Sequence, residues 1–358
     1  MQLRPYIGGQ AVLEGVMMRS PKSFAVVVRR RDGSLSVRER VMLGGRRGLA
    51  KLPFFRGVAS LVESLRLGGE ALRYSAELAQ RDWDAAAAVT SVLRAIGFQL
   101  FLLASSDGTE KAEKSKGIGV MVVLMVGFFI ALPQLVAAGI MKLLGVDWGV
   151  TSMPFQALTG AAKLVIVLGY LMLIRRMADI RRVFQYHGAE HKTISTYEAN
   201  EPLDVAHART KTTMHPRCGT TFLVMIVFLS IVIFSLLGAI LPPIHTGSRI
   251  LDNVIFLIAK LPALPVLAAV AFEVQRFFAR YCTTGPLRAL LVPGFLVQKI
   301  TTIEPDDDQL EVALASLRAT LFREEGRTSE DAAHDVSFPS YAAMTAAESL
   351  IEIDRASA

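Results

Sequence analysis

The sequence predicts an α-helical polytopic membrane protein with about four transmembrane helices and a small cytoplasmic α+β portion. Of its 358 residues, 52% are hydrophobic and only 20% are charged, and the mean hydropathy is +0.41. Soluble domains carry about a quarter charged residues, so this composition is typical of a chain that enters a bilayer. The charged residues are also unevenly placed, because long uncharged segments alternate with short basic ones.

Residues 1–116 are predicted to form a cytoplasmic N-terminal region. Within it, residues 24–41 have the pattern of two strands joined at Asp32-Gly33, a common hairpin turn. Residues 54–80 show helical periodicity and predict an amphipathic helix. Residues 89–104 are apolar but short and contain an arginine, so they predict a helix lying in the membrane interface rather than a further span.

Residues 117–280 are predicted to form the membrane domain. Its four apolar segments are residues 117–141, 154–174, 221–240 and 251–272. Each is long enough to cross a bilayer of about 30 Å. Pro262 and Pro265 interrupt the last segment, which is expected to be either a kinked span or an outer interfacial helix followed by a span running towards Arg280.

The basic residues predict the orientation of these spans. They lie before the first span, after the second and after the fourth, and the chief examples are Lys111, Lys114, Lys116, Arg175, Arg176, Arg181, Arg182, Arg276 and Arg280. Basic loops stay in the cytoplasm, so both termini and the loop 175–219 are expected there. The prediction is a multi-pass protein of the bacterial inner membrane, with the lipid bilayer as its partner. The same rule explains the net charge of +7, so no nucleic-acid partner is predicted.

The rest of the chain is predicted to be cytoplasmic. Residues 281–320 contain a Gly-Pro break followed by a helical pattern, and residues 321–358 have the composition of a weakly ordered tail. The acidic cluster Glu304–Asp308 precedes that helical pattern, and capping of the helix is favoured over a second cation site. Lys163 and Lys260 fall inside predicted spans, and each is expected to extend its amine towards the outer surface.

Two short strings in the loop 175–219 suggest a metal site. His187-x-x-Glu190-His191 places two imidazoles four residues apart, on one face of a helix, with a carboxylate beside them. His215 and Cys218 add two ligand types at a spacing of three. The predicted ligands are His187, His191, His215 and Cys218, zinc is the predicted ion, and Glu190 is the predicted catalytic base.

The sequence leaves several alternatives open for the ligands of this site and for the role of its histidines. Four ligands would close a structural site, whereas three would leave room for water, and Glu198 or Glu201 could replace Cys218. The histidines could instead form hydrogen bonds to the backbone. Glu14 and Arg19 could join the site, but a turn leading into a strand is the favoured interpretation.

Four strings together resemble the YqhQ-like family of bacterial polytopic membrane proteins, which carry a domain of unknown function. They are GGQAVLEGVMMRSP (Gly8–Pro21), YHGAEHKTI (Tyr186–Ile194), HPRCGT (His215–Thr220) and PGFLVQKITTIEPDDDQLEVAL (Pro293–Leu314). The resemblance covers about residues 3 to 318. It implies a polytopic membrane fold and the label of a predicted metal-dependent enzyme, and it implies no substrate.

Two functions are therefore expected. The first is a membrane-embedded, metal-dependent enzyme, most economically a hydrolase, with its site at the cytoplasmic face and a membrane-associated substrate. The second is a non-catalytic scaffold or accessory factor that recruits a protein partner and is stabilised by a structural metal or by hydrogen bonds. The chain contains no Walker A, dinucleotide-binding, G-x-S-x-G or H-E-x-x-H motif, so the sequence gives no support for an ATPase, a dehydrogenase or a serine hydrolase.

Overall fold

The computed structural model describes residues 4–42, 52, 55–82, 127–242, 244, 246–282, 285–325 and 334–347. The strands are β1 Gly8–Val12, β2 Gly15–Arg19, β3 Ser23–Arg29, β4 Leu35–Val41 and β5 His334–Phe338. The helices are α1 Phe55–Asp82, α2 Leu132–Leu144, α3 Met153–Ile174, α4 Ala178–Glu198, α5 Val205–Arg209, α6 Gly219–Ile240, α7 Arg249–Lys260, α8 Leu264–Tyr281, α9 Val292–Thr301 and α10 Asp307–Glu324. The predicted interfacial helix at 89–104 lies outside the described residues.

The strands form one antiparallel sheet in the order β1-β2-β3-β4-β5. The predicted hairpin is β3 and β4, and Gly33 adopts the positive φ of 86° that its turn requires. The sheet is larger than the predicted hairpin because the glycine-rich N-terminal string also pairs, with Gly8 opposite Arg19.

Both faces of the sheet are covered by helices. Phe24, Val26 and Val28 point from β3 towards α1, whereas Ala25 and Val27 belong to the core that β3 shares with α4 and α10. Successive side chains of a strand point to opposite faces, so a strand covered on both sides is apolar throughout. This explains the uninterrupted apolar run FAVVV.

Part of the predicted weakly ordered tail is folded, which corrects that expectation. Residues 334–338 form strand β5, which pairs with β4 from Leu35 opposite Phe338 onwards. Residues 341–347 are helical, and Met344 is buried in the core on the α10 side of the sheet. Strand β5 can be polar because it lies at an edge of the sheet, where the side chains of residues 335–338 are exposed or half-buried.

Within the described ranges, four helical segments are long and apolar enough to cross a membrane. They are Gly127–Leu144, Met153–Ile174, Gly219–Ile240 and Arg249–Phe278. The last is interrupted by a short 3₁₀ turn, Leu261–Ala263, at the predicted proline positions. The first begins with a π-helical turn at Gly127–Ala131, and the residues preceding it lie outside the described part.

Lys163 and Lys260 correct the expectation that they extend to the outer surface. Their relative exposures are 8% and 1%, and both amines point into the helical bundle. The Lys260 amine donates to the side-chain carbonyl of Gln134 at 2.7 Å, and the Lys163 amine donates to the Ser230 hydroxyl at 3.5 Å. Lys163 is the eleventh of the 22 residues of α3, so it is too central for its side chain to reach the interface easily.

Candidate metal centre

Helix α4 carries the first predicted string and lies on the sheet rather than in the bundle. Tyr186 and Ala189 are fully buried in the core with β2 and β3, so the opposite side of the same turns is free to present functional groups. Gly188 is needed here because an added Cβ would collide with the backbone carbonyl of Ile303. The close approach of α4 to the segment after α9 therefore depends on this glycine.

Three of the four predicted ligands come together. Ligand atoms of His187, His191 and Cys218 all lie within 4.8 Å of one another, the only such group of three or more in the described residues. His187 Nε2 is 3.2 Å from Cys218 Sγ, and the two imidazole centroids are 4.4 Å apart. The four-residue spacing on α4 brings the imidazoles together, and Cys218, the N-cap of α6, faces them.

Backbone carbonyls fix the orientation of both imidazoles. His187 Nδ1 lies 2.9 Å from the Thr301 carbonyl oxygen, and His191 Nδ1 lies 2.5 Å from the Thr213 carbonyl oxygen. A carbonyl can only accept, so each Nδ1 carries a proton, and in the neutral imidazole Nε2 then has the lone pair. Metal-binding histidines are usually held in this way.

The charges of the cluster favour a thiolate at Cys218. Burial raises the pKa of this thiol, but the neighbouring His187 and His191 and their hydrogen bonds outweigh burial and bring the pKa well below its usual value. Burial lowers the pKa of His187. The charge of Cys218 and the hydrogen bond between the two side chains outweigh burial, so the pKa of His187 lies above its usual value. The thiolate is the form of cysteine that binds metals and attacks electrophiles.

Glu190 is a buried carboxylate beside this cluster. Its relative exposure is 6%, and burial raises its pKa, although the charges of His187 and His191 oppose the shift. A Cβ placed on Gly9 of β1 would lie 2.8 Å from the Glu190 side chain, so the strand passes close to this carboxylate. A buried carboxyl of raised pKa suits proton transfer near neutral pH.

His215 lies next to the cluster but belongs to a different set of interactions. Its Nε2 is 3.3 Å from a Glu198 carboxylate oxygen, and its Nδ1 accepts a 3.4 Å hydrogen bond from the Arg217 backbone. Burial lowers the pKa of His215 to about 4. Glu198 also pairs with Arg217, and Glu201 pairs with Lys211, so neither glutamate takes the place of Cys218.

The remaining sequence candidates have structural partners. Glu14 occupies the β1–β2 turn with a φ of 51° and receives hydrogen bonds from Arg182 and Tyr186. Arg19 contacts Ser64 and Glu63 of α1. These contacts agree with the favoured interpretation of the string as a turn entering a strand.

The acidic cluster serves as a helix N-terminus. Asp306 caps α10 in a capping box with Gln309. The Gln309 side-chain oxygen accepts a hydrogen bond from the Asp306 backbone N–H at 2.9 Å. Glu304 pairs with Lys192, and Asp307 pairs with Arg209. The capping interpretation of Glu304–Asp308 therefore accounts for its position.

The residues that hold the cluster in place are not apparent from the sequence. Gln298 of α9 is fully buried, and its side-chain oxygen accepts a hydrogen bond from the His215 backbone N–H at 2.8 Å. Its side-chain nitrogen donates to the His215 carbonyl and to the Thr221 hydroxyl, each at 2.8 Å. Thr301 and Thr213 contribute only carbonyl oxygens, which every residue type carries. Gln298 was detectable as a polar residue within the apolar string PGFLVQKI, although its partners were not.

Comparison with known proteins agrees with the resemblance seen in the sequence. A family model described as a protein of unknown function, DUF1385, matches residues 52–323. The chain is 29% identical over 326 residues to the uncharacterized protein YqhQ of Bacillus subtilis (strain 168), an alignment that covers 88% of this chain and 92% of the relative. No solved structure matches the chain.

Proposed function

The chain belongs to the DUF1385 family, and from that premise we propose that it is a membrane-embedded, metal-dependent hydrolase whose centre is formed by His187, His191 and Cys218. Zinc is the proposed ion, because two imidazoles and a thiolate are ligands that zinc favours. The proposed site lies where α4 meets the beginning of α6, which places it at one end of the apolar helices.

The observation that carries this proposal is the number of ligands. Three ligand atoms converge, while the fourth predicted ligand, His215, is directed towards Glu198. A structural zinc site usually has four protein ligands, whereas a catalytic site has three and leaves a position for water. The arrangement thus favours the enzyme over the scaffold.

Each residue has a role in this proposal. Zinc, when bound, supplies Lewis-acid activation of water. His187 and His191 present Nε2 lone pairs, because their Nδ1 atoms donate to the Thr301 and Thr213 carbonyls. Glu190 accepts a proton during hydrolysis, which a buried carboxylate of raised pKa does readily.

The neighbouring surface suggests a lipid or a membrane peptide as the substrate. The segment from the 3₁₀ turn Pro286–Leu291 into α9 exposes several large apolar side chains, Leu287, Leu290, Val292 and Leu296. The same segment ends at Thr301, whose carbonyl holds His187. Apolar exposure of this kind is stable within a bilayer, so a membrane-bound substrate would reach the site directly.

Elemental analysis tests the metal. Detergent-purified protein is expected to carry about one equivalent of zinc, in keeping with a single three-ligand site. A His191→Ala variant is expected to lose most of it, whereas His207→Ala removes an imidazole that pairs with Asp204 outside the cluster and is expected to retain it. Folded wild-type protein without zinc or another transition metal would refute the metal proposal.

Glu190→Gln separates the enzyme from the scaffold. If Glu190 is the base, the variant keeps its metal and fold but hydrolyses its substrate about 10²-fold more slowly or worse. The assay compares the lipids and peptides of bacterial membrane vesicles by mass spectrometry before and after incubation with the protein. Unchanged vesicle contents with wild-type protein of full zinc content would favour the scaffold.

A second candidate uses the same side chains without a metal. The 3.2 Å contact between His187 Nε2 and Cys218 Sγ, at the start of a helix, is the geometry of a cysteine nucleophile beside its base. In that case Cys218 reacts rapidly with iodoacetamide in zinc-free protein, and added zinc gives no protection. Protection by zinc would favour the metal centre instead.

A further inference from the structure

A second group of functional side chains lies inside the bundle, away from the metal centre. Lys163 of α3 and Lys260 at the end of α7 approach the same aromatic ring, that of Phe234 on α6. Their amine nitrogens lie 5.8 Å and 5.1 Å from the ring centroid. Two lysines therefore meet in the middle of the apolar helices with very little exposed surface.

Neither lysine has a carboxylate partner among the residues that the structure describes. Lys260 donates to Gln134 at 2.7 Å, and Lys163 has only the Ser230 hydroxyl at 3.5 Å. Ser230 in turn donates to the Val227 carbonyl at 2.7 Å. An ammonium group has three donors, so most of the donor capacity of this pair is unused.

Aromatic rings face both amines, although burial within the bundle disfavours their charged form. Lys260 lies over the ring of Phe256 at 4.7 Å as well as over that of Phe234, and aromatic faces attract cations. Lysines without an anion are unfavourable within a membrane, and ionisable residues there usually mark a functional site. An anion bound beside both amines would offset this cost, and the described chain supplies no carboxylate there.

A crevice at one end of the bundle reaches Gln134, the hydrogen-bond partner of Lys260. It has a volume of about 720 Å³ and lies between α2 and α7. Lys142 and Arg249 line its outer part, and Arg249 also pairs with the exposed Asp147 at 3.0 Å. Gln134 lines it too, and the carbonyl of this side chain accepts from Lys260.

We infer that Lys163 and Lys260 bind a phosphate-class oxyanion that enters through the crevice between α2 and α7. Gln134 lies between the crevice and Lys260, and its amide nitrogen donates to the Asn253 carbonyl and side-chain oxygen at 2.9 and 3.0 Å. Lys260 does not itself line the crevice, so entry of the anion requires rotation of these two amide side chains. The basic groups of the crevice attract an anion, and the two buried amines neutralise it.

The oxyanion could come from a phospholipid headgroup or from free phosphate, and the test has an arm for each. Delipidated, detergent-purified full-length protein is titrated with dioleoylphosphatidylglycerol, with phosphate-free dioleoylglycerol and with inorganic phosphate. Lipid binding is read by native mass spectrometry and phosphate binding by calorimetry. Binding of phosphatidylglycerol alone identifies a headgroup, and binding of inorganic phosphate identifies the free ion.

Lys163→Met and Lys260→Met are the test variants, because methionine fills a similar apolar volume. Each is expected to weaken binding by roughly 30-fold or more, the loss typical of breaking a buried charge pair. Lys299→Met, at an exposed lysine of α9, is the matched control and is expected to bind as wild type does. This control also measures non-specific attraction to anionic lipid.

Two results would overturn the inference. One is wild-type protein that binds neither phosphatidylglycerol nor phosphate, which decides the question even if a variant does not fold. The other is a pair of folded Lys→Met variants that bind as tightly as wild type. Neither result bears on zinc at the cluster of His187, His191 and Cys218, so the two proposals fail independently.

Discussion

Gly188 is the residue that lets α4 approach the backbone of Ile303, beside the proposed metal centre. Alanine normally stabilises a helix by about 1 kcal/mol relative to glycine. Here its Cβ would collide with the Ile303 carbonyl, which belongs to the backbone and cannot rotate away. Gly188→Ala is therefore expected to destabilise the protein by about 1–3 kcal/mol, measured as a lower unfolding midpoint in detergent.

Gly169→Ala is the matched control for Gly188→Ala. Gly169 also lies in a helix, α3, but an added Cβ would meet no heavy atom within 4 Å. This variant is expected to unfold at the wild-type temperature or slightly above it. Equal midpoints for Gly188→Ala and Gly169→Ala would show that the close contact with Ile303 does not constrain α4.

The sequence predicted the chemistry of single residues better than their partners. The spacing of His187 and His191 was sufficient to predict a shared face, because a helix repeats every 3.6 residues. The spacing of His215 and Cys218 suggested two ligands, but Cys218 begins a helix while His215 turns towards Glu198. Local spacing cannot distinguish these outcomes, since the competing partner is 17 residues away.

Among the elements, the short helix α9 connects the proposed centre to the apolar bundle. Its Gln298 forms hydrogen bonds with two backbone groups of His215, before α6, and with the Thr221 hydroxyl in the first turn of α6. Its last residue, Thr301, holds His187 through the backbone carbonyl. Gln298→Leu would leave those buried groups of His215 and Thr221 without this partner. Each unsatisfied buried group costs about 1–3 kcal/mol, so a clearly lower unfolding midpoint and reduced zinc retention are expected.

Gln185→Leu provides the comparison for α9. The Gln185 side chain donates a long, solvent-exposed hydrogen bond to the Glu304 carbonyl at 3.5 Å. This substitution is expected to change stability by no more than about 0.5 kcal/mol and to leave zinc content unchanged. If Gln298→Leu retained both the wild-type midpoint and its zinc, α9 would have no part in positioning the cluster.

Element types were predictable where the local pattern was strong and failed where distant packing decides. The turn at Gly33, the capping box at Asp306 and the proline break near Pro262 were each encoded within a few residues. Strand β5 was not, because its pairing with β4 joins segments about 300 residues apart. Its polar composition gave no local sign of a partner.

At the scale of the whole molecule, the proposed centre joins two differently built halves. His187 and His191 belong to a helix packed on the sheet, while Cys218 begins a helix of the apolar bundle. A ligand that binds only the folded state stabilises it in proportion to the logarithm of its concentration over its Kd. A metal shared between these elements therefore links folding of the sheet half to that of the bundle.

The orientation of the bundle decides which compartment contains the site. Exposed arginines lie near one end of the apolar helices, at positions 176, 181, 276 and 280, whereas Lys142 and Arg249 lie near the other. The richer basic end stays in the cytoplasm, so the metal centre is expected there.

Reporter fusions test this orientation, with both termini expected inside. Fusions after Asp147 and near Thr246 are expected to report the periplasmic side, because they follow the first and third apolar helices. Fusions after Glu198 and at Ala358 are expected to report the cytoplasm, where an alkaline phosphatase reporter is inactive and a fluorescent protein folds. The Glu198 fusion is decisive, because that residue ends the helix carrying His187 and His191. A periplasmic signal there would move the centre to the outer face and expose its ligands to a compartment in which cysteine thiols are readily oxidised.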